Sequence, residues 1–74
     1  MSYNVAHIDV YDSEGYLHQI FQVKGVVRFN PSKRELDKAR TAVEECFPGY
    51  KQAILHVLHY DKNDYNDKSN VIEL

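Results

Sequence analysis

The feature that most constrains the fold is one segment whose apolar residues have helical spacing. It lies between segments in which apolar and polar residues alternate. Its apolar side chains recur every three or four residues, the spacing of one helix face, at Leu36, Ala39, Val43, Cys46 and Phe47. Ser32 and Glu35 fit a capping box at its start, Asn30-Pro31 offers a competing start, and Pro48-Gly49 ends it. The sequence therefore predicts a helix that begins within two residues of Ser32 and that must bury its apolar face against another element.

The segments on both sides of this helix alternate between apolar and polar side chains, as β-strands do. Residues 3–11 and 16–29 predict two strands joined by a polar loop at 12–15, with Gly25 as the site of a bulge. Residues 50–60 fit either a strand or a helix. We favour a third strand because the segment is short and has no helix cap.

These elements predict a small α+β fold of order ββαβ, in which one helix packs on one face of a sheet of three or four strands. Seventy-four residues allow one domain. We assign residues 1–60 to this domain. The polar residues 61–74 are assigned to a loop or tail, whose last four residues either add a short fourth strand or hang free.

A single helix covers one face of such a sheet, so the alternation separates a covered face from an uncovered one. The covered face is predicted to hold Ala6, Ile8, Val10, Phe21, Val23, Leu55 and Val57. The uncovered face is predicted to hold Tyr3, Val5, His7, Tyr11, His18, Ile20, Ile54, His56, Leu58 and Tyr60. This amount of apolar and amphipathic surface is typical of an interface.

Histidines are the main candidates for chemistry on the uncovered face. His7, His18 and His56 are expected to share it, and three imidazoles suit Zn or Cu. The spacings Cys-x-x-Cys and His-Glu-x-x-His do not occur in the sequence, so we expect no metal and no other cofactor. Cys46, in the apolar stripe at the negative end of the helix, is predicted to be a buried structural residue. A chain of this length leaves little room for a pocket, and we expect no enzyme activity.

Charge excludes one class of nucleic-acid-binding protein. The formal net charge of −2 argues against a protein whose whole surface binds DNA. Six of the nine cations nevertheless fall within seventeen residues, at Lys24, Arg28, Lys33, Arg34, Lys38 and Arg40. Nucleic-acid binding through this basic segment and the aromatic residues of the uncovered face is the alternative function.

The function that we favour is protein–protein interaction by a small adaptor or inhibitor that occupies a partner's surface and forms a homodimer. The residues expected to bind the partner are Tyr3, His7, Tyr11, His18, Ile20, Ile54, His56, Leu58 and Tyr60. A phage or mobile-element origin is suggested by size alone. One cysteine, no signal-peptide pattern and no apolar run near the ~20 residues of a membrane span predict a cytoplasmic protein with no membrane partner.

Overall fold

A computed structural model of the chain describes residues 2–21, 28–62 and 64–74, without the side chains of 64–67. It has one antiparallel sheet of four strands in the order β2-β1-β3-β4, with the helix packed against the sheet. In chain order the elements are β1 (Ser2–Tyr11), β2 (Leu17–Ile20), α1 (Lys33–Cys46), β3 (Gln52–Asp61) and β4 (Asp64–Glu73). The predicted α+β class is confirmed.

Helix α1 begins where the capping box predicts. Ser32 is the N-cap, and its hydroxyl oxygen accepts a hydrogen bond from the Glu35 N–H at 3.2 Å. The same hydroxyl donates to Glu35 Oε1 at 3.3 Å, so the glutamate binds the serine side chain instead of its backbone N–H. At the other end, the Phe47 N–H donates to the Val43 carbonyl at 2.8 Å. Gly49, at φ +75°, then turns the chain toward β3.

The core lies between α1 and one face of the sheet. Its buried members are Ala6, Ile8, Val10, Ala39, Val43, Ala53, Leu55 and Val57. Every second residue is therefore buried from Ala6 to Val10 in β1 and from Ala53 to Val57 in β3, which confirms the covered face predicted for these two strands. The same alternation confirms that residues 50–60 contain a strand and not a helix.

The face predicted for the second strand is wrong. Ile20 lies opposite Ile8 and His18 opposite Val10, so both side chains are on the helix side of the sheet. Ile20 packs against the core, whereas Phe21 is 66% exposed. Because side chains alternate with period two, an error of one residue in the register reverses the whole strand.

The loop between β1 and β2 explains this reversal. Asp12 organises it: its backbone N–H donates to the Tyr16 carbonyl, and its Oδ1 accepts from the Glu14 and Tyr16 N–H groups, all at 2.9 Å. Gly15 takes the left-handed conformation at φ +90°. Residue 16 thus belongs to the loop and not to the strand. The bulge expected at Gly25 and the covered position expected for Val23 lie outside the described residues.

Cys46 is exposed and not buried as predicted. The buried part of α1 is centred on Ala39 and Val43, and the apolar stripe continues past the helix end through the half-buried Phe47. Cys46 lies in the last turn of α1 at the margin of this stripe and not in the core.

Residues 64–73 form the ten-residue strand β4, so the fourth strand that the sequence allows for the last four residues is present and longer than predicted. Ile72 and Leu74 pack against the core, and the Leu74 N–H donates to the Ala53 carbonyl at 2.8 Å. Asn70 Nδ2 donates to the Phe29 carbonyl at 3.0 Å. β4 is at the edge of the sheet, and its polar composition is typical of an edge strand that is largely exposed to solvent.

Candidate functional site

The side of the sheet away from α1 is the candidate site, and we call it the open face. Residues directly opposite each other in an antiparallel pair project from the same side, so the register defines its members. In the described chain they are Tyr3, Val5, His7, Asp9, Tyr11, Leu17, Gln19, Phe21, Gln52, Ile54, His56, Leu58, Tyr60, Ser69, Val71 and Glu73.

Apolar and aromatic side chains dominate the open face. The rings of Tyr3 and Tyr60 stack with their centroids 5.4 Å apart, and Val5 lies opposite Leu58 in the next pair. The most exposed large apolar side chains on this side are Tyr3, Val5, Leu17, Phe21 and Val71. Exposed apolar side chains this close together form a patch and are not scattered single residues.

Most of the predicted partner-binding residues come together on the open face. Those that do are Tyr3, His7, Tyr11, Ile54, His56, Leu58 and Tyr60. The other two, His18 and Ile20, lie on the helix side because the face of β2 is reversed. Leu17, Gln19 and Phe21 take their place beside β1.

A polar cluster of His7, Asp9 and His56 lies in the middle of this apolar surface. The two imidazole rings are stacked, with centroids 4.4 Å apart and planes 8° from parallel. Asp9 Oδ2 lies 3.0 Å from His56 Nε2, and Asp9 Oδ1 lies 3.8 Å from His7 Nε2. Gln19 Nε2 donates to Asp9 Oδ1 at 3.1 Å and so holds the carboxylate in place.

Asp9 is the residue that sequence reasoning missed. The alternation of β1 already puts Asp9 on the same side as His7, two residues earlier. The pairing of His7 with His56 has no local signal, because it joins residues 49 positions apart and follows from the register of β1 on β3.

His18 has a structural role on the other side of the sheet. Its Nε2 is 2.8 Å from Asp12 Oδ2, and its ring lies 4.6 Å from that of Phe47. The hydrogen bond with His18, followed by the backbone N–H of Tyr16, lowers the pKa of Asp12 below its ordinary value of 3.8. The predicted trio of His7, His18 and His56 is therefore not brought together.

The basic residues lie away from the open face. Arg28 Nε is 3.6 Å from Glu35 Oε1, and Arg40 Nη1 is 2.7 Å from Asp37 Oδ1. In Lys33–Cys46, four cations are matched by four carboxylates, so α1 has no formal net charge. The remaining predicted contact, Lys24, lies outside the described residues.

No known protein family, curated protein or solved structure matches this chain. Among the residues that the structure describes, no helix has the length and apolar character needed to cross a membrane.

Proposed function

We propose that this protein is an interaction module that binds a second copy of itself through the open face of its sheet. The observation that carries the proposal is the unequal cover of the sheet. Helix α1 buries one side, whereas the other side presents tyrosine, phenylalanine and aliphatic side chains to solvent. One-sided antiparallel sheets usually expose a polar face, so an apolar face indicates a surface that is covered in the working state.

The dimensions of the open face suit a small dimer interface. Three strands of ten residues and one of four, with a spacing of about 4.8 Å and a rise of about 3.3 Å per residue, span about 540 Å². A standard interface buries about 800 Å² per partner. We therefore expect a dimer that forms reversibly and depends on concentration.

The small number of charges on the open face permits the association of two like surfaces. In the described chain this face has no lysine or arginine, and its carboxylates are Asp9 and Glu73. Asp9 is already next to the two imidazoles of its own chain. Two copies related by a twofold axis can therefore meet with little repulsion between like charges.

The absence of lysine and arginine from the described open face also weighs against the alternative function, nucleic-acid binding. Proteins that stack bases on aromatic side chains place cations beside those side chains to follow the phosphates. Here Tyr3, Tyr11 and Tyr60 lie on the open face, whereas the cations of α1 belong to the helix on the other side of the sheet, which has as many carboxylates as cations. A role as an adaptor or inhibitor in a reducing cytoplasm, consistent with the lone cysteine, remains part of the proposal.

Dilution followed by NMR of backbone amides tests the proposal on the unmodified chain. We expect amide shifts that depend on concentration in β1, β3 and β4 at residues of the open face, and unchanged shifts at the outer residues of α1. Shifts confined to α1, or none up to millimolar concentration, would contradict the proposal.

A further inference from the structure

We propose that His7, Asp9 and His56 form a binding site for a divalent transition-metal ion of the zinc type. The site is built within one chain, so it does not depend on self-association. This proposal goes beyond the apolar dimer contact proposed above, because it assigns a metal ion to the centre of the open face.

The backbone brings the three side chains to one point. His7 and His56 lie directly opposite each other on the paired strands β1 and β3, and Asp9 follows His7 by two residues on the same side. Both strands are central in the sheet, since β2 flanks β1 and β4 flanks β3. Asp9 and His56 are therefore attached to backbone that is paired with a strand on both sides, and His7 is paired with β3 and adjoins Ile8, the first residue of β1 that pairs with β2.

The donor atoms are close enough to share an ion. One atom each from His7, Asp9 and His56 lies within 4.8 Å of the other two. Ligands of tetrahedral zinc, at bond lengths of about 2.1 Å, are about 3.4 Å apart. Binding must therefore bring the most distant pair of donor atoms closer by up to about 1.4 Å. It must also open the rings from their 8° stack until both lone pairs point at the ion.

One of these atoms lacks a partner in the metal-free arrangement. His56 Nε2 is buried and has no hydrogen-bond partner in the described structure, although Asp9 Oδ2 is 3.0 Å away. The carboxylate oxygen is near but not aligned for a hydrogen bond. A buried polar nitrogen without a partner is costly, and coordination to a metal ion would satisfy it.

The surroundings support a cation at this point. Gln19 donates to Asp9 Oδ1, as residues around metal sites commonly do to orient a ligating carboxylate. The carboxylate of Asp9 supplies a negative charge to the site, and the described open face has no lysine or arginine to repel an ion. Two imidazole nitrogens and a carboxylate oxygen form a donor set that zinc accepts.

Three protein ligands leave one position of a tetrahedral ion open. Because the site faces outward, this position can hold water in the free protein or a donor atom of whatever binds the open face.

Zinc titration of the full chain tests the site directly. Affinity is measured by competition with a chromogenic chelator, and coordination by the visible absorption of the Co²⁺ form. We expect one ion per chain, a loss of at least about 100-fold for His7→Ala or His56→Ala, and a loss of about tenfold for Gln19→Ala. His18→Gln, which changes a histidine on the helix side, is the matched control and should bind zinc as the natural protein does.

NMR of the unmodified protein keeps the test independent of how the variants fold. On addition of zinc, the imidazole signals of His7 and His56 should move, whereas those of His18 and His59 should not. Equal movement of all four, or equal zinc affinity in the natural chain and in His7→Ala and His56→Ala, would overturn the proposal.

Discussion

The two sides of the sheet differ although they are made by the same strands. In β1, Ile8 and Val10 are buried under α1, while their neighbours His7 and Asp9 face outward. In β3, Leu55 is fully buried and His56 is not. One helix can cover one side of a sheet, so the covered side supplies most of the stability and the other side is free to carry recognition and chemistry.

The largest expected effect on stability comes from placing a carboxylate on each side of the sheet in turn. Leu55→Asp should remove at least about 4 kcal/mol from the free energy of unfolding, because the charge is buried without a partner. A chain of this size has about 4–11 kcal/mol in total, so the variant should be largely unfolded. Leu58→Asp, three residues later on the open face, should retain the native circular dichroism spectrum and a cooperative melt. Equal loss of structure in the two variants would mean that both sides are core.

Two valines of one strand give a milder version of the same test. Val10 is 0% exposed and Val5 is 41% exposed, and both lie in β1. Val10→Ala should lower the free energy of unfolding by about 2 kcal/mol because it leaves a cavity. Val5→Ala should cost less than about 1 kcal/mol, the strand-propensity loss that both changes share. Urea titration measures the difference, and similar midpoints for the two variants would contradict it.

The N-terminal cap of α1 contributes less to stability than the buried core residues do. Ser32→Ala removes the hydroxyl that accepts from the Glu35 N–H and should cost about 1 kcal/mol. Ser13→Ala, in the exposed loop between β1 and β2, is the control and should leave the melting temperature unchanged. No effect at Ser32 would show that the first backbone N–H groups of α1 are satisfied in another way.

The hairpin loop should show the smallest effect, and it depends on pH. Because folding lowers the pKa of Asp12, its carboxylate stabilises the native state above pH 3.8, and this contribution is lost as the pH falls through the lowered pKa. Asp12→Asn keeps an oxygen for the loop N–H groups but does not titrate. Thermal melts from pH 5 to pH 2 should therefore fall more steeply for the natural chain than for this variant. Parallel curves would remove Asp12 from the account.

The correct and incorrect sequence predictions follow from the range of the interactions concerned. Helix caps and alternation are local, so the start of α1 at Ser32 and the covered residues of β1 and β3 were predictable. The side of β2 depended on whether Tyr16 belongs to the loop or the strand, a difference of one residue. The sequence predicts strand β4 only as an optional short strand of the last four residues, because the segment before them is polar and two apolar residues, Ile72 and Leu74, suffice to pack this edge strand against the core.

The cluster on the open face was only partly predictable for the same reason. Alternation puts His7 and Asp9 on one side of β1. Only the register of β1 on β3 aligns them with His56 and leaves His18 on the other side, and register depends on tertiary packing.

The central claim is that the open face joins two copies of the chain. Light scattering on Leu58→Asp and a matched variant tests this claim most directly. Thr41→Asp places the same charge on the exposed surface of α1. The account predicts that the natural chain and Thr41→Asp approach twice the monomer mass of 8.7 kDa as concentration rises, whereas Leu58→Asp stays at 8.7 kDa with its fold intact. A natural chain that stays at 8.7 kDa up to millimolar concentration, or a dimer lost in Thr41→Asp but kept in Leu58→Asp, would contradict it.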